Sequence, residues 1–218
     1  MSDISRPRAV LFDWDNTLID SWVVIHDAMN VTLEAFGQTP WTLEESQARI
    51  ARSMRDSFPE LFGADWEEAA RVFYDHFETI HLEKLTPLSG AADFLAHLHG
   101  DGIHMGVVSN KRGDILRRES THLGWDKYFG RLVGANDAAQ DKPSAAPIHM
   151  ALEASGITAG AEVWYIGDTG VDLMAASAAA CVPVLLRPEA PGEGEFPEHE
   201  PTLYAPDFKT LSNMLGSL

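Results

Sequence analysis

Two aspartates one residue apart, Asp13 and Asp15, end the apolar run Val10-Leu11-Phe12 and open a polar turn at Asn16-Thr17. On an extended chain, residues two apart point the same way, so both carboxylates would compete for one small volume. A cation between them relieves that repulsion, and so does a proton shared with a substrate oxygen. Other readings of Asp-x-Asp are open here. A calcium loop would need Gly at its sixth position and Glu at its twelfth, where this chain has Leu18 and Val24. Asp15 or Thr17 could equally cap the segment that follows. Three further groups carry chemistry-capable side chains behind or between apolar runs. Ser109-Asn110-Lys111 follows His104–Val108, Lys142-Pro143 stands alone, and Asp168 and Asp172 lie in Gly167–Asp172 behind Val163–Ile166.

The elements that must position these residues follow from hydrophobic periodicity. Val10–Phe12 reads as a buried parallel strand. Trp22, Ile25, Met29, Leu33 and Phe36 recur at three and four and predict a helix, with Gly37 as its stop. Thr42 and Glu45 form a capping-box pair at the start of a second helix. A short third piece spans about 54–62 and a longer amphipathic stretch 65–85. No β-patterned run interrupts residues 20–86, so this segment reads as all-helical, and Pro87 marks the return to the core. Beyond it, helices over 90–99, 113–123, 144–155 and 171–180 alternate with strands over 104–109, 132–135, 163–167 and 182–186. That alternation predicts a doubly wound parallel sheet. Pro188–Pro206, with five prolines, two glycines and five glutamates, reads as a surface loop before a last helix over 208–215. In such a sheet ligands bind beyond the carboxyl ends of the strands, where Asp13, Ser109 and Asp168 all fall.

The four groups, in this order, resemble the four motifs of the haloacid dehalogenase superfamily: Asp13-Trp14-Asp15-Asn16-Thr17, Ser109-Asn110-Lys111, Lys142-Pro143, and Gly167–Asp172. The resemblance runs from about Arg8 to the final helix. Its nearest branch is phosphoglycolate-phosphatase-like, from Thr17-Leu18-Ile19-Asp20-Ser21 and the Ser-Asn-Lys form of the second motif. It implies a Rossmann-like α/β catalytic core, residues 1–18 and 87–218, with an inserted helical cap, residues 19–86. It implies Mg2+, a nucleophile at Asp13 and a general acid and base at Asp15. Metal ligands would come from Asp13, Asp15 through its backbone carbonyl, and Asp168, with Asp172 holding a metal-bound water or orienting Asp168. Ser109 and the Asn110 backbone would bind the phosphoryl group, and Lys142 would offset its charge. Lys111 is either a further substrate-binding residue or the surface charge that opens the basic run Lys111–Arg118. Asp15 disfavours dehalogenation, since haloacid dehalogenases lack an aspartate there. Two departures from the family pattern concern loop geometry: Asn16 stands where Gly is commoner, and Ala145 holds the second proline position of the third motif.

Composition bounds the alternatives. The chain has 218 residues, a formal charge of −17 and one cysteine. No apolar run approaches the roughly 20 residues that span a bilayer, and Met1–Arg8 lacks the apolar stretch of a signal peptide. The charge argues against nucleic acid or an anionic membrane as partner, and the lone cysteine fits a reducing, cytoplasmic compartment. A monomer or a homodimer is expected. Nine histidines show no zinc-ligand spacing, and Cys181 reads as core. An anionic substrate must therefore be met by local cations. Arg49, Arg52 and Arg55 read by default as a solvated face; if one of them reads a second anionic group with its forked guanidinium, Arg52 is the first candidate and Arg55 the second. The expected function is a Mg2+-dependent phosphatase acting on a small phosphorylated, phosphoglycolate-like metabolite. A β-phosphoglucomutase-like phosphotransferase and a non-catalytic binding module are the alternatives. Lys84, the insert's only lysine, lies at its far end, which disfavours a phosphonate hydrolase.

Overall fold

The computed structural model describes residues 4–50 and 54–218, the side chains of 54–56 excepted. The chain divides into two compact units, residues 1–19 with 87–218, and Asp20–Thr86. In the first unit six parallel strands form one sheet in the order β5-β4-β1-β6-β7-β8. They are β1 (Ala9–Phe12), β4 (His104–Arg112), β5 (Arg131–Ala135), β6 (Val163–Gly167), β7 (Val182–Leu186) and β8 (Leu203–Ala205). The chain builds outward from β1 through β4 to β5. It then returns to the other side of β1 with β6 and continues outward. This reversal opens a crevice at the carboxyl ends of β1, β4 and β6, the place where open α/β sheets bind ligands.

Strand β1 pairs on both sides, Phe12 with Val107 and with Ile166, and all four of its residues are buried. Its unbroken apolar run reflects helices on both faces of the sheet. Leu11 points into a core built with Ile148 and Leu152 of α7 (Ala146–Leu152) and Ala175 and Ala176 of α8 (Gly170–Ala178). On the opposite face Phe12 meets Phe94 of α5 (Ala91–Gly100) edge-on at 6.2 Å. Phe94 in turn packs on Phe208 of α9 (Phe208–Gly216) at 5.4 Å. Helix α6 (Gly113–Leu123) follows β4 directly. Among the described residues, no helix is long and apolar enough to cross a membrane.

The second unit is helical: α1 (Trp22–Ala35), α2 (Leu43–Arg49), α3 (Met54–Phe62), a 3₁₀ turn and α4 (Trp66–Ile80). Its core is aromatic, with Phe58 against Phe62 and Phe73, and Phe73 stacked on Phe77. Thr42 and Glu45 form the reciprocal capping box at the start of α2. The buried stripe of α1 is Val24, Ala28, Met29, Thr32 and Leu33, whereas Trp22, Ile25 and Phe36 are only half-buried. The stripe read from large apolar residues is thus rotated by about one position, because small Ala28 and Thr32 permit the closer approach.

Three features depart from the periodicity. Strand β4 continues through Ser109–Lys111 to Arg112, with a register break after Val108. Leu203–Ala205, within the stretch read as a loop, adds β8 to the sheet edge; three residues are too short to show alternation. Short strands β2 (Ile19–Asp20) and β3 (Thr86–Pro87) pair at the two chain crossings between the units.

Gly167 ends β6 where no side chain fits. A Cβ there would lie 2.3 Å from both Cβ and Cγ of Asp172. Gly167→Ala should therefore lower stability by about 1–3 kcal/mol through overpacking, read from urea unfolding midpoints, and an unchanged midpoint would show that α8 shifts freely.

Candidate active site

The crevice gathers the carboxylates because successive strand ends meet there. Asp13 follows β1, and its N–H still donates to the Ile166 carbonyl at 2.8 Å, so the ladder holds its backbone while its side chain leaves the sheet. Asn16 turns the chain with φ of 59°, the left-handed conformation that Asn tolerates better than most residues. Thr17 then donates to Asp168 Oδ1 at 3.0 Å, tying the turn after β1 to the end of β6. Carboxylate oxygens of Asp13, Asp168 and Asp172 lie within 4.8 Å of one another.

Lys142 answers that concentration of negative charge. Its Nζ lies 2.8 Å from Asp13 Oδ1 and 2.7 Å from Asp172 Oδ1, and the residue is buried. The loop bearing it, which includes a cis Lys142–Pro143 peptide, is fixed by Asn110. The Asn110 Oδ1 accepts from the Lys142 N–H at 3.0 Å, and its Nδ2 donates to the Lys142 carbonyl at 3.2 Å. The asparagine side chain, expected to matter only through its backbone, thus docks this loop onto β4. Ser109, just before it, is buried two residues beyond the pairing of Val107 with Phe12, and its Oγ accepts from the Lys111 N–H at 3.2 Å.

Asp172 caps as well as charges. Its Oδ2 accepts from the Thr169 N–H at 3.0 Å and the Thr169 hydroxyl at 2.7 Å, closing the capping box of α8. Its Oδ1 accepts from Lys142, and the Tyr165 hydroxyl, whose single proton goes to the Val108 carbonyl at 2.8 Å, lies 3.4 Å from the same oxygen. Asp172 thus caps α8 and orients Lys142 at once.

Asp15 is held by a different cation. Lys111 Nζ lies 2.6 Å from Asp15 Oδ1 and 2.9 Å from Glu119 Oε2, and Glu119 Oε2 also accepts from the Trp14 indole N–H at 2.7 Å. The Lys111 side chain is only 6% exposed, so it is not the surface charge that one sequence reading allowed. Glu119 and Tyr165 were missed from the sequence. Glu119 had a signal, since it shares the buried stripe of α6 with Ile115 and Leu116, where a carboxylate needs a partner. Arg52 lies outside the described residues, and the side chain of Arg55 is likewise not described. Arg49 is exposed over the Trp41 ring and pairs with Glu45 at 3.4 Å.

The model of the haloacid dehalogenase-like hydrolase family matches residues 10–185. This chain belongs to that family. A phosphoglycolate phosphatase from Xylella fastidiosa is 32% identical over 177 residues, covering 79% of this chain and 77% of the relative. One from Yersinia pestis is 30% identical over 186 residues, covering 80% and 78%. Among solved structures, a superfamily hydrolase from Ehrlichia chaffeensis is 28% identical and covers 99% of both chains at a TM-score of 0.68. A haloacid dehalogenase-like hydrolase from Bacteroides fragilis shares the fold at a TM-score of 0.85, covering 94% of this chain and 99% of that one at 24% identity.

The family implies a divalent metal, and the residues fit one. Asp13 Oδ1 is buried and has no aligned hydrogen-bond donor, although the Lys142 ammonium is 2.8 Å away. Burial pushes the Asp13 carboxyl up to about 6 against the pull of Lys142, with Asp172 and Asp15 adding to the rise. Burial, then Asp172 and Asp13, also hold Asp168 well above the usual carboxylate range, while the Thr17 hydroxyl opposes them. A cation between Asp13 and Asp168 would remove that penalty.

The sign of the linkage is testable. With its folded pKa raised, Asp13 stabilises the metal-free fold least above about pH 6, where the unfolded carboxyl ionises freely and the folded one is strained. Metal-free stability from this group should fall as pH rises from about 4 to about 6. Saturating Mg2+ should therefore raise the unfolding temperature more near pH 7.5 than near about pH 5, and Asp168→Asn should remove the difference. Equal shifts at both pH values would dissociate the metal from these carboxylates.

Proposed function

We propose that this hydrolase is a Mg2+-dependent phosphatase that works through an aspartyl-phosphate on Asp13. The observation that carries the reading is the separation of two aspartates two residues apart onto two different lysines. Asp13 faces Lys142 and Asp15 faces Lys111. Phosphate ester cleavage through an aspartyl-phosphate uses that division, with one carboxylate to attack and another to move protons. A carboxylate oxygen of Asp13 attacks phosphorus as the phosphorus–oxygen bond to the leaving group breaks. Asp15 donates its proton to the leaving oxygen, then takes one from the water that splits the aspartyl-phosphate. Lys142 offsets charge on Asp13 and the transferring phosphoryl group, and the Ser109 hydroxyl and Asn110 backbone bind its oxygens. Mg2+ would be held by Asp13, Asp168 and the Asp15 carbonyl and would supply electrostatic neutralisation of the same oxygens, with Asp172 orienting Lys142.

The substrate we favour is a small phosphorylated metabolite of the phosphoglycolate kind, in a reducing, cytoplasmic setting. Support comes from the relatives named as phosphoglycolate phosphatases over about four-fifths of the chain. The helical unit Asp20–Thr86 acts in this reading as the cap that selects substrate, with Arg52 as reader of a second anionic group and Lys111 as support for Asp15 rather than as a substrate contact.

Asp13→Asn should fold normally but release phosphate from an aryl phosphate at less than about a hundredth of the wild-type rate, because the amide cannot attack phosphorus. Thermal unfolding checks the fold, and substantial residual turnover would remove Asp13 as nucleophile. Phosphate release should also require Mg2+ and be inhibited by Ca2+, whose longer bonds and higher coordination number misplace the reacting oxygens. Full activity after exhaustive chelation would sink the metal assignment.

A further inference from the structure

We propose that Glu119 is a positioning residue for the leaving-group proton donor, fixing the Asp15 carboxylate through the Lys111 ammonium that lies between them. This rests on the reading of Asp15 as general acid and extends it to a residue on another element. The geometry is a buried chain of three links. The Trp14 indole donates to Glu119 Oε2 at 2.7 Å, the same oxygen lies 2.9 Å from Lys111 Nζ, and that ammonium lies 2.6 Å from Asp15 Oδ1. It joins the tip of β1, the end of β4 and the middle of α6. Exposure falls along it from 21% at the Asp15 side chain to 6% at Lys111 and 1% at Glu119. The open end is thus the carboxylate that must meet substrate, and the closed end is the one that can only hold.

Stability alone explains this poorly. A buried ion pair often contributes no more than well-packed apolar residues would, and Glu119 lies on the same helix stripe as Ile115 and Leu116. A flexible lysine stem gripping Asp15 from one side would leave several rotamers open to both groups. Glu119 on the far side of the ammonium removes that freedom, and the indole of Trp14 fixes Glu119 in turn. Burial pushes the Lys111 ammonium towards neutrality, but Asp15 and Glu119 together more than offset this and keep it charged. A general acid must lie within about 2.6–3.2 Å of the oxygen it protonates, so small displacements of Asp15 are costly.

Leaving groups separate this role from a structural one. The protein, loaded with Mg2+ and in excess over substrate, is given para-nitrophenyl phosphate, whose phenolate departs unaided, and phenyl phosphate, whose phenolate needs a proton. First-turnover release of the phenol reports only phosphoryl transfer to Asp13. Glu119→Gln should slow phenyl phosphate by about tenfold and para-nitrophenyl phosphate by less than about twofold, a fraction of what full removal of a general acid costs. Placed in an Asp15→Asn protein, Glu119→Gln should add nothing, since the group it positions is gone. Equal slowing of both esters, or an undiminished effect beside Asp15→Asn, would overturn the proposal while leaving the phosphatase reading intact. Failure of the wild-type protein to release either phenol would overturn both. If Glu119→Gln does not fold, Trp14→Phe, which removes the indole donor, should show the same preference for slowing phenyl phosphate, and equal slowing there would overturn it.

Discussion

The site depends on one constraint: three carboxylates crowd together at the carboxyl ends of two neighbouring strands, and one buried ammonium pairs with two of them. Asp13, Asp168 and Asp172 approach within 4.8 Å, and Lys142 bridges Asp13 and Asp172 from a loop on a third element. Like charges at such separations cannot all ionise in a poorly hydrated space without a compensating cation. Lys142 compensates one, and the remainder is the electrostatic demand that a divalent metal would meet. The local structure supports this ammonium. Asn110 clamps both backbone polar groups of Lys142, and Asp172 is pinned by Thr169 so that its other oxygen stays aimed at Nζ.

Sheet order converts sequence order into that proximity. Because β1 lies between β4 and β6, residues near 13, 110 and 168 converge although the chain separates them by tens of residues. The second buried lysine follows from the same neighbour relation. Strand β4 runs on past Ser109, and its register break after Val108 changes the course of the strand just before Lys111. Two aspartates two apart on one strand tip thereby acquire different cations from different neighbours. That difference in surroundings, rather than in chemistry, is what would allow otherwise identical side chains to divide attack and proton transfer in the proposed reaction.

What the sequence made legible was whatever is local. Apolar runs ending in polar tips marked β1, β4 and β6, the capping pair marked α2, and left-handed tolerance at Asn16 preserved the turn. The residues that stayed hidden depend on tertiary pairing. Lys111 read ambiguously because its burial depends on α6 folding back beside Trp14. Glu119 showed only as a carboxylate on an apolar helix stripe, with nothing local to name its partner, and Tyr165 looked like one more core aromatic in an apolar strand. Asp172 was read as holding a metal-bound water or orienting Asp168; in the structure it closes the α8 capping box and pairs with Lys142. Strand β8 escaped because three residues in a proline- and glutamate-rich stretch have no period to show.

The net charge of −17 poses a last physical question, since the proposed substrate is an anion. Surface charges are screened over roughly 10 Å at ordinary ionic strength, whereas interactions among buried groups are screened much less. The surface field therefore acts mainly on the rate of encounter, and binding is decided by the few groups inside the crevice. There the balance is set by Lys142, Lys111 and the metal the carboxylates fit, each held by named partners rather than by the average field. Because both ammonium groups are already paired with carboxylates, they attract an incoming phosphate less strongly than free cations would. In the proposed reaction their stronger contribution would come as charge shifts during transfer: when Asp13 gives its lone pair to phosphorus, Lys142 would lose part of that partner and become available to the phosphoryl oxygens. An arrangement of this kind favours the transition state over the bound substrate, which is the condition for catalysis rather than storage.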